Sequence, residues 1–133
     1  MSPRYPLVSE RAGHRCEYCH APEIIFNFPF EIEHIIPITR GGTDDEANLA
    51  LACRCCNVWK ADHLTGVDGA TQSAASLFNP RRDSWDYHFS VDVEEGLIQG
   101  LTPAGRATVN RLKMNAGLQV AARRQWIRLG LFV

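Results

Sequence analysis

Two cysteine pairs of identical spacing, Cys16-Glu17-Tyr18-Cys19 and Cys53-Arg54-Cys55-Cys56, carry the clearest chemical signal in the sequence. A C-x2-C turn lets two thiolates face one ion, and two such turns complete a tetrahedral four-sulfur site. Zinc suits four soft thiolates, and a site closed in this way is structural rather than catalytic. The pairs are separated by 33 residues, so the insert must itself fold. The chain has five cysteines, an odd count that argues against a disulfide framework. Cys55 is the surplus thiol, expected to point away from the metal on a helix beginning near residue 54.

The insert and the residues just after it hold a second set of chemistry-bearing groups in a fixed order. Glu33-His34-Ile35-Ile36-Pro37 comes first, then Gly41-Gly42, Asn48-Leu49, Cys56-Asn57 and Lys60. Over residues 14–63 this order, with both cysteine pairs, resembles the HNH endonuclease family. That family's signature is an acidic residue and His in a strand, a GG-containing loop, Asn-Leu, and a C-x2-C-N-x2-K helix. The resemblance implies a ββα-metal (His-Me finger) core and metal-dependent hydrolysis of DNA phosphodiester bonds, with duplex DNA the expected substrate. It casts His34 as general base and Glu33 and Asn57 as ligands of a single catalytic Mg²⁺ or Mn²⁺. Asn48 becomes the residue that pins the loop and orients His34. Lys60 and His63 are candidate phosphate contacts. Asn57 stands where the family name has His, and Glu33 where Asp is commoner. The segments LFNPRRDSWDYHF and GLTPAGRATV are similar, more weakly, to the tails of small standalone bacterial HNH proteins.

Elementary chemistry is compatible with the roles that the resemblance implies. Cutting a phosphodiester needs an activated water, neutralised phosphate charge and a stabilised leaving oxygen, and one hard cation can supply the last two. Mg²⁺ takes oxygen ligands and needs only one or two from the protein, which a carboxylate and an amide can provide. A histidine titrates near neutrality and can take a proton from water at pH 7. One geometric tension remains: adjacent residues of a regular strand point to opposite faces, so Glu33 and His34 cannot both face one ion there.

The elements that must position these groups can be read from pattern and punctuation. Residues 7–15 predict a helix with Ser9 as a possible cap, ended by Gly13. APEIIFNFPF suggests extended chain, and residues 30–36 a strand. TRGGTDDEAN is a polar loop, NLALAC a short apolar strand, and residues 54–62 a helix. Residues 66–84 read as an irregular connector. WDYHFSVDVEEGLIQGL predicts a hairpin turning at Glu95-Gly96. Thr102-Pro103 marks a helix entry, and residues 118–129 a last amphipathic helix. The fold class is therefore α+β. Residues 1–66 form the expected zinc-stapled nuclease core, and residues 67–133 a C-terminal extension of hairpin and basic helices.

Bulk properties bound the partners. The net charge is −1, yet residues 101–133 hold six Lys/Arg and no acid. That asymmetry predicts an arm meeting phosphates, with Arg123 and Arg124 as candidates. No stretch approaches the roughly 18 consecutive apolar residues of a membrane helix. The start of the chain lacks an apolar run suited to a signal peptide, so a soluble cytoplasmic protein is expected. The competing reading is a non-catalytic zinc-stapled module that binds nucleic acid. A redox or zinc sensor built on Cys55 has one odd thiol in its favour.

Overall fold

In the computed structural model, which describes residues 2–132, five α-helices and three two-stranded antiparallel sheets surround one hydrophobic cluster. Helix α1 (Tyr5–Arg11) is followed by the first cysteine turn and a short 3-10 turn at Glu23–Phe26. Strand β1 (Glu31–His34) pairs with β2 (Leu49–Ala52), Glu31 opposite Ala52 and His34 opposite Leu49. Helix α2 (Arg54–Lys60) leaves β2 directly and packs on both strands. All four β2 residues are buried, as expected of a strand covered on both faces.

The second half is built on two further hairpins. Strands β3 (Thr65–Val67) and β4 (Ala74–Ser76) pair across the stretch expected to be irregular. Their short length and Gly/Ser/Ala content hid them, since such strands carry little β-branched or alternating signal. The one-turn helix α3 (Trp85–His88) leads into β5 (Phe89–Asp92), which pairs with β6 (Leu97–Gly100) through a turn where Gly96 has φ +74°. Helix α4 (Pro103–Arg111) starts as expected, with the Thr102 side chain accepting the Gly105 N–H, and packs on β3, β4 and β6. Helix α5 (Gly117–Arg128) closes the fold.

Two local expectations are corrected. Ser9 lies inside α1 rather than capping it, and its hydroxyl donates back to the Pro6 carbonyl. Residues 23–26 form a 3-10 turn because the Glu23 carboxylate gathers the Tyr5 hydroxyl, His14 and the Phe30 N–H around it. The core joins both halves: Val8, Tyr18 and Leu51 share a cluster with Phe78, Phe89, Ile98 and Met114. Trp85 donates its indole N–H to the Tyr18 carbonyl at 2.8 Å, tying α3 to the first cysteine turn. Among the described residues no helix is long and apolar enough to cross a membrane.

Candidate metal centre and nuclease site

The four expected sulfurs converge. The Sγ atoms of Cys16, Cys19, Cys53 and Cys56 lie within 4.8 Å of one another, all buried. Cys19 and Cys53 Sγ are 3.7 Å apart, close to the roughly 3.8 Å edge of a tetrahedron with Zn–S bonds of ~2.3 Å. Each turn also aims a backbone amide at its first sulfur. The Cys19 N–H donates to Cys16 Sγ and the Cys56 N–H to Cys53 Sγ. Cys53 is the N-cap of α2, its sulfur accepting one of the free amides of the first helical turn. Burial alone would raise the Cys16 thiol, yet hydrogen bonds from Cys19, Cys53 and Cys56 hold it well below its ordinary value. The same contacts push the Cys53 and Cys56 thiols up, so without an ion the cluster holds its negative charge on Cys16. The donor set fits a structural zinc ion. Cys55 turns out of the cluster, its sulfur accepting Gln119 Nε2 of α5 at 2.6 Å.

The insert is held closed by polar side chains. Asn48 accepts the Ile36 N–H on Oδ1 at 2.9 Å and donates Nδ2 to the carbonyls of Ile36 at 2.9 Å and Thr43 at 2.7 Å. It thereby spans the loop between β1 and β2. Gly42 lets that loop fold back, because a Cβ there would sit 1.8 Å from the Ile36 carbonyl oxygen. His34, at the end of β1, keeps its side chain partly open at 34% exposure. Its Nε2 lies 2.7 Å from Asp44 Oδ1. Asp44 in turn pairs with Arg4, Nη2 to Oδ2, at 2.6 Å. The His34 and Arg4 hydrogen bonds hold the Asp44 carboxyl below its ordinary value, so it remains an anion beside the imidazole. A carboxylate only accepts, so Nε2 carries the ring proton and Nδ1 is left as the basic nitrogen.

Glu33 points the other way, as strand alternation requires. Its Oε2 accepts from Lys60 Nζ and its Oε1 from the Tyr18 hydroxyl, each at 2.5 Å, and the residue is 5% exposed. Burial raises its pKa, with Lys60 and Tyr18 opposing the rise. The arrangement differs from what was expected of both residues. Glu33 does not present an open carboxylate to a hydrated cation, because both oxygens are engaged and an ammonium already occupies the site. Lys60 is 1% exposed and does not reach a phosphate; it also donates to the Ile35 carbonyl at 2.8 Å, clamping the chain just beyond His34. Asn57 instead meets Glu31, its Nδ2 donating to Oε1 at 2.5 Å, while Arg54 binds Oε2 at 3.1 Å. Glu33 and Asn57 as they stand do not fit a divalent-cation pair.

Arg123 is also corrected. It is 1% exposed, donating to the carbonyls of Gly96 and Met114, so it cannot meet a phosphate at the surface. Arg124 is exposed and His63 partly so. Sequence reasoning missed Glu31 and Asp44. Glu31 was accessible from strand alternation, since it lies two residues before Glu33 on the same face. Asp44 lies in a polar loop whose path no periodicity specifies.

Residues 16–63 match the family model of the HNH endonuclease domain. The match takes in both cysteine pairs, β1, β2 and α2, and it points to nuclease-type chemistry on nucleic acid beside a structural zinc site. No curated protein and no solved structure matches the chain.

Proposed function

We propose that the protein is a DNA endonuclease that hydrolyses phosphodiester bonds, with His34 as the general base. The observation that carries this is an open imidazole, paired with Asp44, inside the stretch that matches the HNH domain. Asp44 would fix the tautomer and stabilise the imidazolium formed when Nδ1 takes a proton from water. Asn48 and Lys60 would hold the backbone of residues 34–36, and so the ring, in place. In this reading the β1–β2–α2 unit is a ββα-metal core within a nuclease module of residues 1–66, and residues 67–133 extend it.

Dependence on added Mg²⁺ or Mn²⁺ is part of the proposal and rests on the family match. The Glu33–Lys60 pair gives that ion no ready donor set. DNA would enter along a groove of about 490 Å³ between α2 and the end of α4. Trp59, His63, Asn110, Arg111 and Lys113 line it, with no acidic side chain among the lining residues. Lys113 Nζ sits 4.8 Å over the Trp59 ring. Exposed Arg124 would be a further phosphate contact, and the expected working location is the cytoplasm.

The test is nicking of supercoiled plasmid with and without added Mg²⁺ or Mn²⁺, on wild type, His34→Ala and Asp44→Asn. His34→Ala should lose about 10²- to 10⁴-fold in rate. Asp44→Asn should lose on the order of 10- to 100-fold, as expected when a histidine loses its orienting carboxylate. A His34→Ala protein as active as wild type would remove His34 from the chemistry. Inactive wild type that still binds DNA would favour the zinc-stapled binding module.

A further inference from the structure

Tyr18 is fully buried, and its place in the core is set by groups around it. Its ring meets the Phe78 ring edge-on, with centroids 6.5 Å apart at 83°. Its carbonyl accepts the Trp85 indole N–H at 2.8 Å. The Glu17 N–H just before it donates to the Leu51 carbonyl at 2.9 Å. For packing alone, phenylalanine would serve. A buried phenol needs a partner for its hydroxyl, and that partner is Glu33 Oε1 at 2.5 Å.

The bond settles more than one hydroxyl. The last torsion of a glutamate is broad and roughly two-fold, so the rotamer leaves the carboxylate plane open. Donors on both oxygens close it, Tyr18 on Oε1 and Lys60 Nζ on Oε2. Lys60 is a compact charge on a flexible four-carbon stem, and its ammonium has three donors to place. Glu33 Oε2 accepts at 2.5 Å, the Ile35 carbonyl at 2.8 Å, and the His34 carbonyl lies at 3.5 Å. Asn48 holds both backbone groups of the next residue, Ile36. The backbone from 34 to 36 is thus held by Lys60 at its start and by Asn48 at its end.

We propose that Tyr18 is a positioning residue for His34. Its hydroxyl orients the Glu33 carboxylate, which seats the Lys60 ammonium on the carbonyls of His34 and Ile35. The proposal rests on the reading of His34 as general base. Tyr18 is buried too deeply to touch substrate, and it acts only through Glu33 and Lys60. It lies between Cys16 and Cys19 in the sequence. The first cysteine turn is therefore joined to the base by one buried hydrogen-bonded chain.

Three full-length, zinc-loaded proteins test this: wild type, Tyr18→Phe and Asn115→Ala. Long-range proton–nitrogen NMR of histidine-labelled protein at pH 8 reads the His34 ring tautomer, assigned by the signals lost in His34→Ala. Wild type should show the Nε2-protonated form that faces Asp44. Tyr18→Phe should show a mixture of tautomers. Its kcat for plasmid nicking should fall about 10- to 100-fold at unchanged KM, as expected when support behind a reacting group is removed. Asn115→Ala removes two hydrogen bonds to Ile98, outside this chain, and should keep the wild-type ring and kcat. A folded Tyr18→Phe protein with the wild-type tautomer would reduce the hydroxyl to a contributor to stability and overturn the proposal. So would an Asn115→Ala protein whose ring changes as much. Should Tyr18→Phe fail to fold, the Glu33→Gln/Lys60→Met double variant decides, since it leaves no lone charge in the interior. An undisturbed His34 ring in that protein overturns the proposal. The ring signals need no nuclease activity. Wild type that does not nick plasmid would therefore overturn the general-base reading, while the NMR comparison still decides whether Tyr18 sets the ring.

Discussion

At the scale of single residues, buried charge organises the stretch that matches the HNH domain, and its energetics can be measured directly. Glu33 and Lys60 form a pair 2.5 Å apart with both side chains almost fully buried. Breaking a buried pair from one side leaves an uncompensated charge and costs about 3–5 kcal/mol, whereas replacing both partners can be close to neutral. Lys60→Met and Glu33→Gln should each lower the urea midpoint strongly, and the double variant should recover much of the loss. Additive losses would mean that the two groups do not act as a unit. Glu23 makes a prediction about pH. The Tyr5 hydroxyl, the Phe30 N–H and His14 overcome the opposing effect of burial and hold its carboxyl below its ordinary value of 4.5. A depressed folded-state pKa contributes stability that is fully present above the unfolded value and is lost as pH falls through the folded one. Glu23→Gln should therefore be less stable than wild type at pH 7, and the gap should close as the pH is taken below about 4.5. A gap of constant size down to pH 2 would mean that the charged carboxylate contributes nothing.

At the scale of elements, the cysteine turns do what hydrophobic burial does in larger domains. They fix the first turn of α2 to the segment after α1, and the Glu17 N–H donates to the Leu51 carbonyl at 2.9 Å, locking that segment onto β2. Cys16→Ser or Cys53→Ser should unfold this half, since structural zinc contributes on the order of 10 kcal/mol in small domains. Cys55→Ser should lose only a bond to Gln119. Zinc stoichiometry beside circular dichroism separates the cases, and metal-free wild-type protein with unchanged stability would rule out the structural ion. Spacing made these elements legible. C-x2-C repeated once predicted the cluster, and apolar runs bounded by turn residues placed β1, β2, α2 and the β5–β6 hairpin. The β3–β4 hairpin was not legible, because Gly66 is selected for a close approach rather than for strand propensity. A Cβ there would meet the Ala107 carbonyl oxygen at 2.6 Å. The partners of the site residues were legible only in part. Strand alternation separated Glu33 from His34, but nothing local says that Lys60, one helix away, neutralises Glu33.

At the scale of the whole molecule, the distribution of positive charge differs from its order in the sequence. Six basic residues follow residue 100, yet they do not form one arm. Arg123 turns inward, Arg106 binds the buried Asp68 through two hydrogen bonds, and Arg111 donates Nε to the Thr65 carbonyl. What remains at the groove is Lys113 over Trp59, flanked by Arg111 and His63. A cation and an exposed indole side by side suit a nucleic-acid strand, the cation by releasing counterions and the ring by stacking on a base. Lys113→Glu should weaken oligonucleotide binding and reduce the log–log salt slope by roughly 0.9 on duplex DNA, or about 0.7 on a single strand. Trp59→Ala should weaken single-strand binding by about 1–3 kcal/mol with little change in slope, because stacking releases no counterions. Arg124→Glu, on the exposed side of α5, tests whether the contact surface extends that far. Fluorescence anisotropy over a salt series reads all three variants. If neither Lys113 nor Trp59 changes affinity, the strand runs elsewhere, and the basic residues after residue 100 serve the packing of α4 and α5 alone.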